Sequence, residues 1–186
     1  MNAYNEGELT LQDQTKIIGD FHKNNGTILF TNGDRYSGPF HNFKPDGPGV
    51  LYTRGGLKFT GNFVDGLKEG HGQLEYPNGD IYSGEFTSNL RHGYGKLAFT
   101  ARNEAYEGEW QFDRMHGKGT FTAQNGNVEE GVWERGLLLQ SSRFVTQRLR
   151  QQYKSAVQRQ KPRSTSVTEN PYTPIVYNPS PLKRAA

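Results

Sequence analysis

The stretch Gly79-Asp80-Ile81-Tyr82-Ser83-Gly84-Glu85-Phe86-Thr87-Ser88-Asn89-Leu90-Arg91-His92-Gly93-Tyr94-Gly95 decides the fold, because its skeleton recurs on either side of it. With the first aromatic as position zero, Gly stands at +2, Phe or Trp at +4, and Gly again at +11 and +13. Tyr36 is followed by Gly38, Phe40, Gly47 and Gly49, and Phe59 by Gly61, Phe63, Gly70 and Gly72. Tyr82 is followed by Gly84, Phe86, Gly93 and Gly95, and Tyr106 by Gly108, Trp110, Gly117 and Gly119. The starts lie 23, 23 and 24 residues apart, and a fixed period of this size marks a repeat array.

Within a copy, the two aromatics and the Gly between them fall on alternate positions, so an extended chain points all three to one face. The partner run places Leu51, Leu74, Leu97 and Phe121 at +15, and Thr53, Tyr76, Phe99 and Ala123 at +17. About six polar residues and the Gly pair separate the two runs, which predicts an antiparallel hairpin per copy. Turn residues such as Asn32-Gly33, Pro77-Asn78-Gly79 and Asn125-Gly126 lead into the next copy. One hairpin cannot bury its aromatic face, but stacked hairpins can. The expected fold is mainly β, an elongated single-layer antiparallel sheet of hairpins growing by about 10 Å per copy. Two ring ladders are expected along it, Tyr36, Phe59, Tyr82 and Tyr106 in one, and Phe40, Phe63, Phe86, Trp110 and Trp133 in the other. Gly at +2 leaves space into which neighbouring rings lean.

The runs Tyr82-Ser83-Gly84-Glu85-Phe86…His92-Gly93-Tyr94-Gly95 and Tyr106-Glu107-Gly108-Glu109-Trp110…His116-Gly117-Lys118-Gly119 resemble the MORN repeat, the membrane occupation and recognition nexus motif. The resemblance covers residues 36–133, with degenerate copies extending it to about 17–138. Phe59 stands where Tyr is usual, and Glu129 where a ring is expected. Arrays of this family occur in ciliary, junctional and cytoskeletal scaffolds. The resemblance therefore implies a non-enzymatic scaffold binding protein partners in a larger assembly, ciliary, axonemal or otherwise cytoskeletal, through a rigid platform whose groove holds a partner's helix.

The sequence divides into a polar N-terminal arm at 1–13, the array at 14–138, a basic C-terminal helix at 139–161 and a Pro-rich extended tail at 162–186. Ile17-Ile18-Gly19-Asp20-Phe21 opens a shortened terminal copy of the kind that caps solenoids. Glu129-Glu130-Gly131-Val132-Trp133 opens a last copy whose second strand is not expected. Ser141 and Ser142 instead serve as N-caps for a helix over Arg143 to Gln160, with Val145, Leu149, Gln152 and Ala156 on one face, ended by Pro162.

Charge is unevenly placed. Residues 139–186 hold nine Lys or Arg and one acid, Glu169, for a balance of +8, while residues 1–138 balance at −5. The run Arg143, Arg148, Arg150, Lys154 and Arg159 suits an acidic surface, either a protein such as tubulin or the anionic phospholipid of a membrane. The second partner defines the alternative reading, a peripheral membrane module. No nucleic-acid-reading module is recognisable. Tyr172, Ile175, Val176 and Tyr177, among prolines at 171, 174 and 179, form an apolar segment suited to another protein's groove or sheet edge.

Catalytic and cofactor motifs are not found, and the glycine pairs open no helix to hold phosphate. Cysteine is absent. His71, His92 and His116 sit in successive hairpins about 10 Å apart, too far for one ion to bind two of them. With no signal peptide or apolar span, the expected compartment is the cytoplasm; the MORN resemblance implies a place there at the cytoskeleton or in a cilium or flagellum axoneme.

Overall fold

The computed structural model describes residues 6–141. They form one antiparallel sheet of fourteen strands whose spatial order follows the sequence. The first hairpins are β1 (Glu6–Thr10), β2 (Lys16–Asp20), β3 (Asn25–Leu29) and β4 (Arg35–His41). A two-residue β5 (Lys44–Pro45) pairs with β4 beside the main path, which continues with β6 (Gly47–Tyr52), β7 (Lys58–Val64), β8 (Leu67–Glu75) and β9 (Ile81–Thr87). The last are β10 (Leu90–Phe99), β11 (Glu104–Gln111), β12 (Arg114–Thr122), β13 (Val128–Glu134) and β14 (Leu137–Ser141).

Alternation along each strand decides which side is covered. In β9, Tyr82 and Phe86 are buried while Ile81, Ser83 and Thr87 are exposed. A single-layer sheet has no second layer to cover this face, so the rings cover one another. Tyr36, Phe59, Tyr82 and Tyr106 are fully buried. Each ring at position zero meets the +4 ring of the next copy edge to face: Tyr36 with Phe63 at 5.0 Å, Phe59 with Phe86 at 5.0 Å, Tyr82 with Trp110 at 5.2 Å and Tyr106 with Trp133 at 5.1 Å. Within a copy, Tyr82 meets Phe86 at 5.2 Å and Tyr106 meets Trp110 at 5.3 Å. The two expected ladders are thus one zigzag chain of rings. Edge-to-face pairs add about 0.5–1.5 kcal/mol each beyond the area they bury.

The glycines make this possible. Gly84 and Gly95 face each other across β9 and β10, and the Tyr82 ring lies over the pair. The phenol then donates a hydrogen bond to the Glu85 carbonyl at 3.0 Å, as Tyr36 does to Pro39 at 2.6 Å and Tyr106 to Glu109 at 2.9 Å. Burial pushes all three phenols above the ordinary tyrosine value, Tyr36 to about 12.

Several expectations need correction. The polar loops expected between strands are two-residue turns with both residues left-handed, for example Ser88-Asn89 and Phe112-Asp113, because the strands run to the hairpin tip. The arm expected over 1–13 contains a strand, β1, paired with β2 through Gly7 opposite Gly19, so the copy read as the cap is not the edge of the sheet. The last copy does acquire its second strand: β14 pairs with β13 from Gly131–Ser141 to Glu134–Leu137. Ser141 therefore ends a strand and does not cap a helix. The single helical turn among the described residues is the 3-10 turn Thr100–Arg102, and the helix and tail expected beyond it lie outside the described residues.

Candidate protein-docking groove

Successive hairpins are tied together at one fixed place. The carbonyl at +9 accepts the amide of the next hairpin tip: Pro45 from Gly66 at 2.8 Å, Lys68 from Asn89 at 3.0 Å, Arg91 from Asp113 at 3.0 Å and Met115 from Gly136 at 2.9 Å. The +9 side chains thereby fold onto the ring face and stand along one border of it. The other border is the row of turns between copies. There Asp34 accepts the Arg54 amide at 2.9 Å and Asp80 the Thr100 amide at 3.0 Å.

Between the borders, over β6 to β9, lies a hollow of about 410 Å³. Its floor is Phe30, Leu51, Phe63, Leu74, Tyr76 and Phe86, and its rim carries Asn32, Asp34, Pro45, Lys68, Asn89, Leu90 and Asp113. That volume lies within the range of about 300–1,000 Å³ typical of ligand-binding pockets, and its apolar floor with a few polar rim groups is the usual composition of one. On the opposite face, depressions of about 370 and 250 Å³ around Tyr94, Glu107 and Thr120 are lined by polar strand residues such as Lys96 and Glu130.

Two cations stand on the ring face. Lys68 is 4% exposed, with its ammonium 5.6 Å from the centre of the Phe59 ring. Burial lowers its pKa, and the carboxylates of Asp113 and Asp34 act against that shift. Arg91 is equally buried and lies 4.4 Å over the Trp110 ring. Its Nε donates to the Asp113 carboxylate at 3.0 Å and its Nη2 to the Asp113 carbonyl at 2.7 Å, so this pair closes the groove wall at β10 and β11.

The repeat positions Tyr36, Gly38, Phe40, Phe59, Gly61, Phe63, Tyr82, Gly84, Phe86, Tyr106, Gly108 and Trp110 lie in β4, β7, β9 and β11. The candidate contact residues Tyr172, Ile175, Val176 and Tyr177, and Arg143, Arg148, Arg150, Lys154 and Arg159, lie outside the described residues. Glu85 and Glu109, each three residues after the first aromatic of its copy, have a structural task. The Glu85 carboxylate accepts the Tyr94 amide at 2.9 Å and that of Glu109 the Lys118 amide at 3.0 Å. Each caps the bulge made by the left-handed Gly93 or Gly117. The sequence signal was a Glu at +3 in both copies that also carry His-Gly at +10 and +11. His92 packs against the exposed Phe112 ring at 5.4 Å. Among the described residues, no three His, Asp or Glu side chains cluster in a way that would hold a metal ion, and no helix is long and apolar enough to cross a membrane.

The family profile described as MORN repeat matches residues 59–81, 82–101 and 106–128. No curated protein matches the chain. Among solved structures, the SAS-4 (dCPAP) TCP domain of Drosophila melanogaster, in complex with a proline-rich motif of Ana2 (dSTIL), is similar at 16% identity. That alignment covers 71% of this chain and 81% of the other, with a TM-score of 0.41. The TCP10c domain of Drosophila melanogaster Sas-4 is similar at 19% identity over 68% of this chain and 92% of that one, with a TM-score of 0.34.

Proposed function

We propose that this chain, a member of the MORN-repeat family by its three matched copies, is a non-catalytic scaffold that holds a segment of a partner protein in the groove over β6 to β9. The observation that carries this reading is the hollow itself, with an apolar floor, a polar rim and walls fixed by a repeated backbone hydrogen bond. Such a surface is pre-organised, so little ordering entropy opposes binding. A ciliary or other cytoskeletal assembly is the setting suggested by the family. The test places a photo-cross-linking phenylalanine analogue at Leu51 or Leu90 in the groove, and at Thr60 on the opposite face, in native cells. The proposal expects discrete protein cross-links from the groove positions alone. Equal cross-linking from Thr60 would remove the groove from the function.

The basic balance of residues 139–186 favours a second reading, attachment to an anionic lipid surface through Arg143, Arg148, Arg150, Lys154 and Arg159. Sedimentation with phosphatidylserine-containing vesicles checks it. Binding that weakens steeply between 50 and 300 mM salt, by the screening expected of surface charge, supports it, and no binding removes it.

A further inference from the structure

We infer that Pro171 to Pro179 of this same chain seats in the groove over β6 to β9, as an intramolecular occupant that an incoming partner must displace. The inference rests on the docking reading above and adds its regulation.

Three observations lead to it. The first is chemical fit. The floor offers Leu51, Phe63, Leu74 and Phe86, and the segment offers Tyr172, Ile175, Val176 and Tyr177. Prolines at 171, 174 and 179 disfavour a helix and favour an extended chain, which loses little entropy on lying in a groove.

The second is charge. On the rim Asp113 is paired with Arg91 and Asp34 stands with Lys68, so the local charges balance, and residues 170–186, which contain no acid and carry Lys183 and Arg184 just beyond the segment, bring no carboxylate to oppose Asp34. On the larger scale, the −5 of residues 1–138 attracts the +8 of residues 139–186.

The third is reach. From β14, where the described chain ends, to β8 at the centre of the groove is six strand spacings, about 29 Å. About thirty residues separate Ser141 from Tyr172, and a coil of that length has a root-mean-square span of about 30 Å. A helix over 143–160 would alone cover about 27 Å. A tether whose span matches the distance gives its largest effective concentration, on the order of millimolar, so even a weak contact is occupied within one chain.

The experiment uses the full chain and a Val176→Asp full chain, in which the described array is untouched. A synthetic peptide of residues 168–182 is titrated against each and followed by the methyl resonances of Leu51, Leu74 and Leu90. The expected result is binding to the Val176→Asp chain at least about tenfold tighter than to the wild-type chain, since a groove covered nine-tenths of the time weakens a competitor by that factor. Adding Leu51→Lys to the Val176→Asp chain is expected to abolish the binding, with its circular dichroism and thermal midpoint confirming that it folds. Equal affinity for both chains would overturn the intramolecular contact while leaving the groove as a docking site. Binding to neither chain would also overturn it, and the photo-cross-linking experiment then decides the docking reading separately. A photo-cross-linker at position 176 distinguishes the remaining case. Cross-links within one chain to residues 45–90 support the inference, and links between chains that grow with concentration overturn it in favour of exchange between copies.

Discussion

Gly95→Ala tests the claim that tyrosine rings lying on glycine pairs hold this sheet together. A methyl group on Gly95 would stand 2.6 Å from the Tyr82 ring carbon Cε2, and closer still to Cζ and the phenol oxygen. The ring has nowhere to retreat. Phe86 and Trp110 meet it edge to face at 5.2 Å each, and its hydroxyl is bonded to the Glu85 carbonyl at 3.0 Å. Overpacking of this kind costs about 1–3 kcal/mol. Losing the phenol hydrogen bond adds about 0.5–1.5 kcal/mol, so the expected loss is about 1.5–4.5 kcal/mol.

Gly55→Ala is the control, because the nearest atom to its methyl would be Thr53 Oγ1 at 3.8 Å. There, less freedom in the unfolded chain is expected to stabilise by about 0.4–1 kcal/mol. Urea unfolding followed by the fluorescence of Trp110 and Trp133 reads both, and Trp110 touches the Tyr82 ring directly. A double-mutant cycle isolates the cause. In a Tyr82→Ala background the methyl has no ring to strike, so Gly95→Ala is expected to cost less than about 1 kcal/mol, a coupling well above the additive limit of about 0.5 kcal/mol. Equal cost in both backgrounds would refute the reasoning and assign the penalty to the backbone of the facing Gly84.

Four further outcomes are expected. Glu85→Ala removes the acceptor of the Tyr94 amide, which costs about 1 kcal/mol and speeds hydrogen exchange at that amide, while Glu85→Gln retains most of the stability. Arg91→Met alone leaves Asp113 without its guanidinium and is expected to cost about 2 kcal/mol or more, whereas Arg91→Met with Asp113→Asn returns to within about 1 kcal/mol of the parent in the same urea titration. Phe43→Gly relieves a bulky residue held at φ 63°, and a thermal melt is expected to show stabilisation of about 1 kcal/mol. The Tyr36 phenol keeps its proton to about 12 in the folded chain but releases it near 10 in the unfolded one, so this contribution is intact below pH 10 and is lost as pH rises towards 12. Urea midpoints at pH 9 and pH 11.5 should show that loss, with a smaller difference in Tyr36→Phe.

What the sequence revealed was whatever repeats with a period. Aromatic, Gly and Leu recur at fixed offsets because each copy buries the same face in the same way, so strands, hairpins and the identity of the core could be read from spacing. Features that join two copies had no such signature. The contact of Tyr82 with Trp110 depends on how far β9 and β10 shear against β11, which spacing along one strand does not report. The tips Phe112-Asp113 and Ser88-Asn89 lack the Asn-Gly or Asp-Gly that advertises a left-handed turn, and Asp65-Gly66 is the one tip among the described residues that carries it. β14 was missed because Leu137-Leu138-Leu139-Gln140-Ser141 has neither the +11 nor the +13 glycine, although Leu138 is buried beneath the last ring position. The groove was invisible for a related reason. Its floor is periodic, but its volume is set by how +9 residues of one copy lean towards the turns of another.

That last point shows where the copies differ from one another. In the four hairpins before the last, the +9 backbone does the same thing, accepting the amide of the next tip, so the ladder is indifferent to the side chain that position carries. Those side chains are Pro45, Lys68, Arg91, Met115 and Leu138, the most chemically varied set at any equivalent buried position. Arg91 is spent on Asp113 and Trp110, and Met115 and Leu138 complete the core at the C-terminal end. Pro45 and Lys68, the latter over the Phe59 ring, line the hollow. Under the proposed docking reading, a partner segment meets an apolar wall at Pro45 and the buried amine-bearing chain of Lys68. The other copies serve to hold that pair of walls at a fixed spacing over a floor that does not bend.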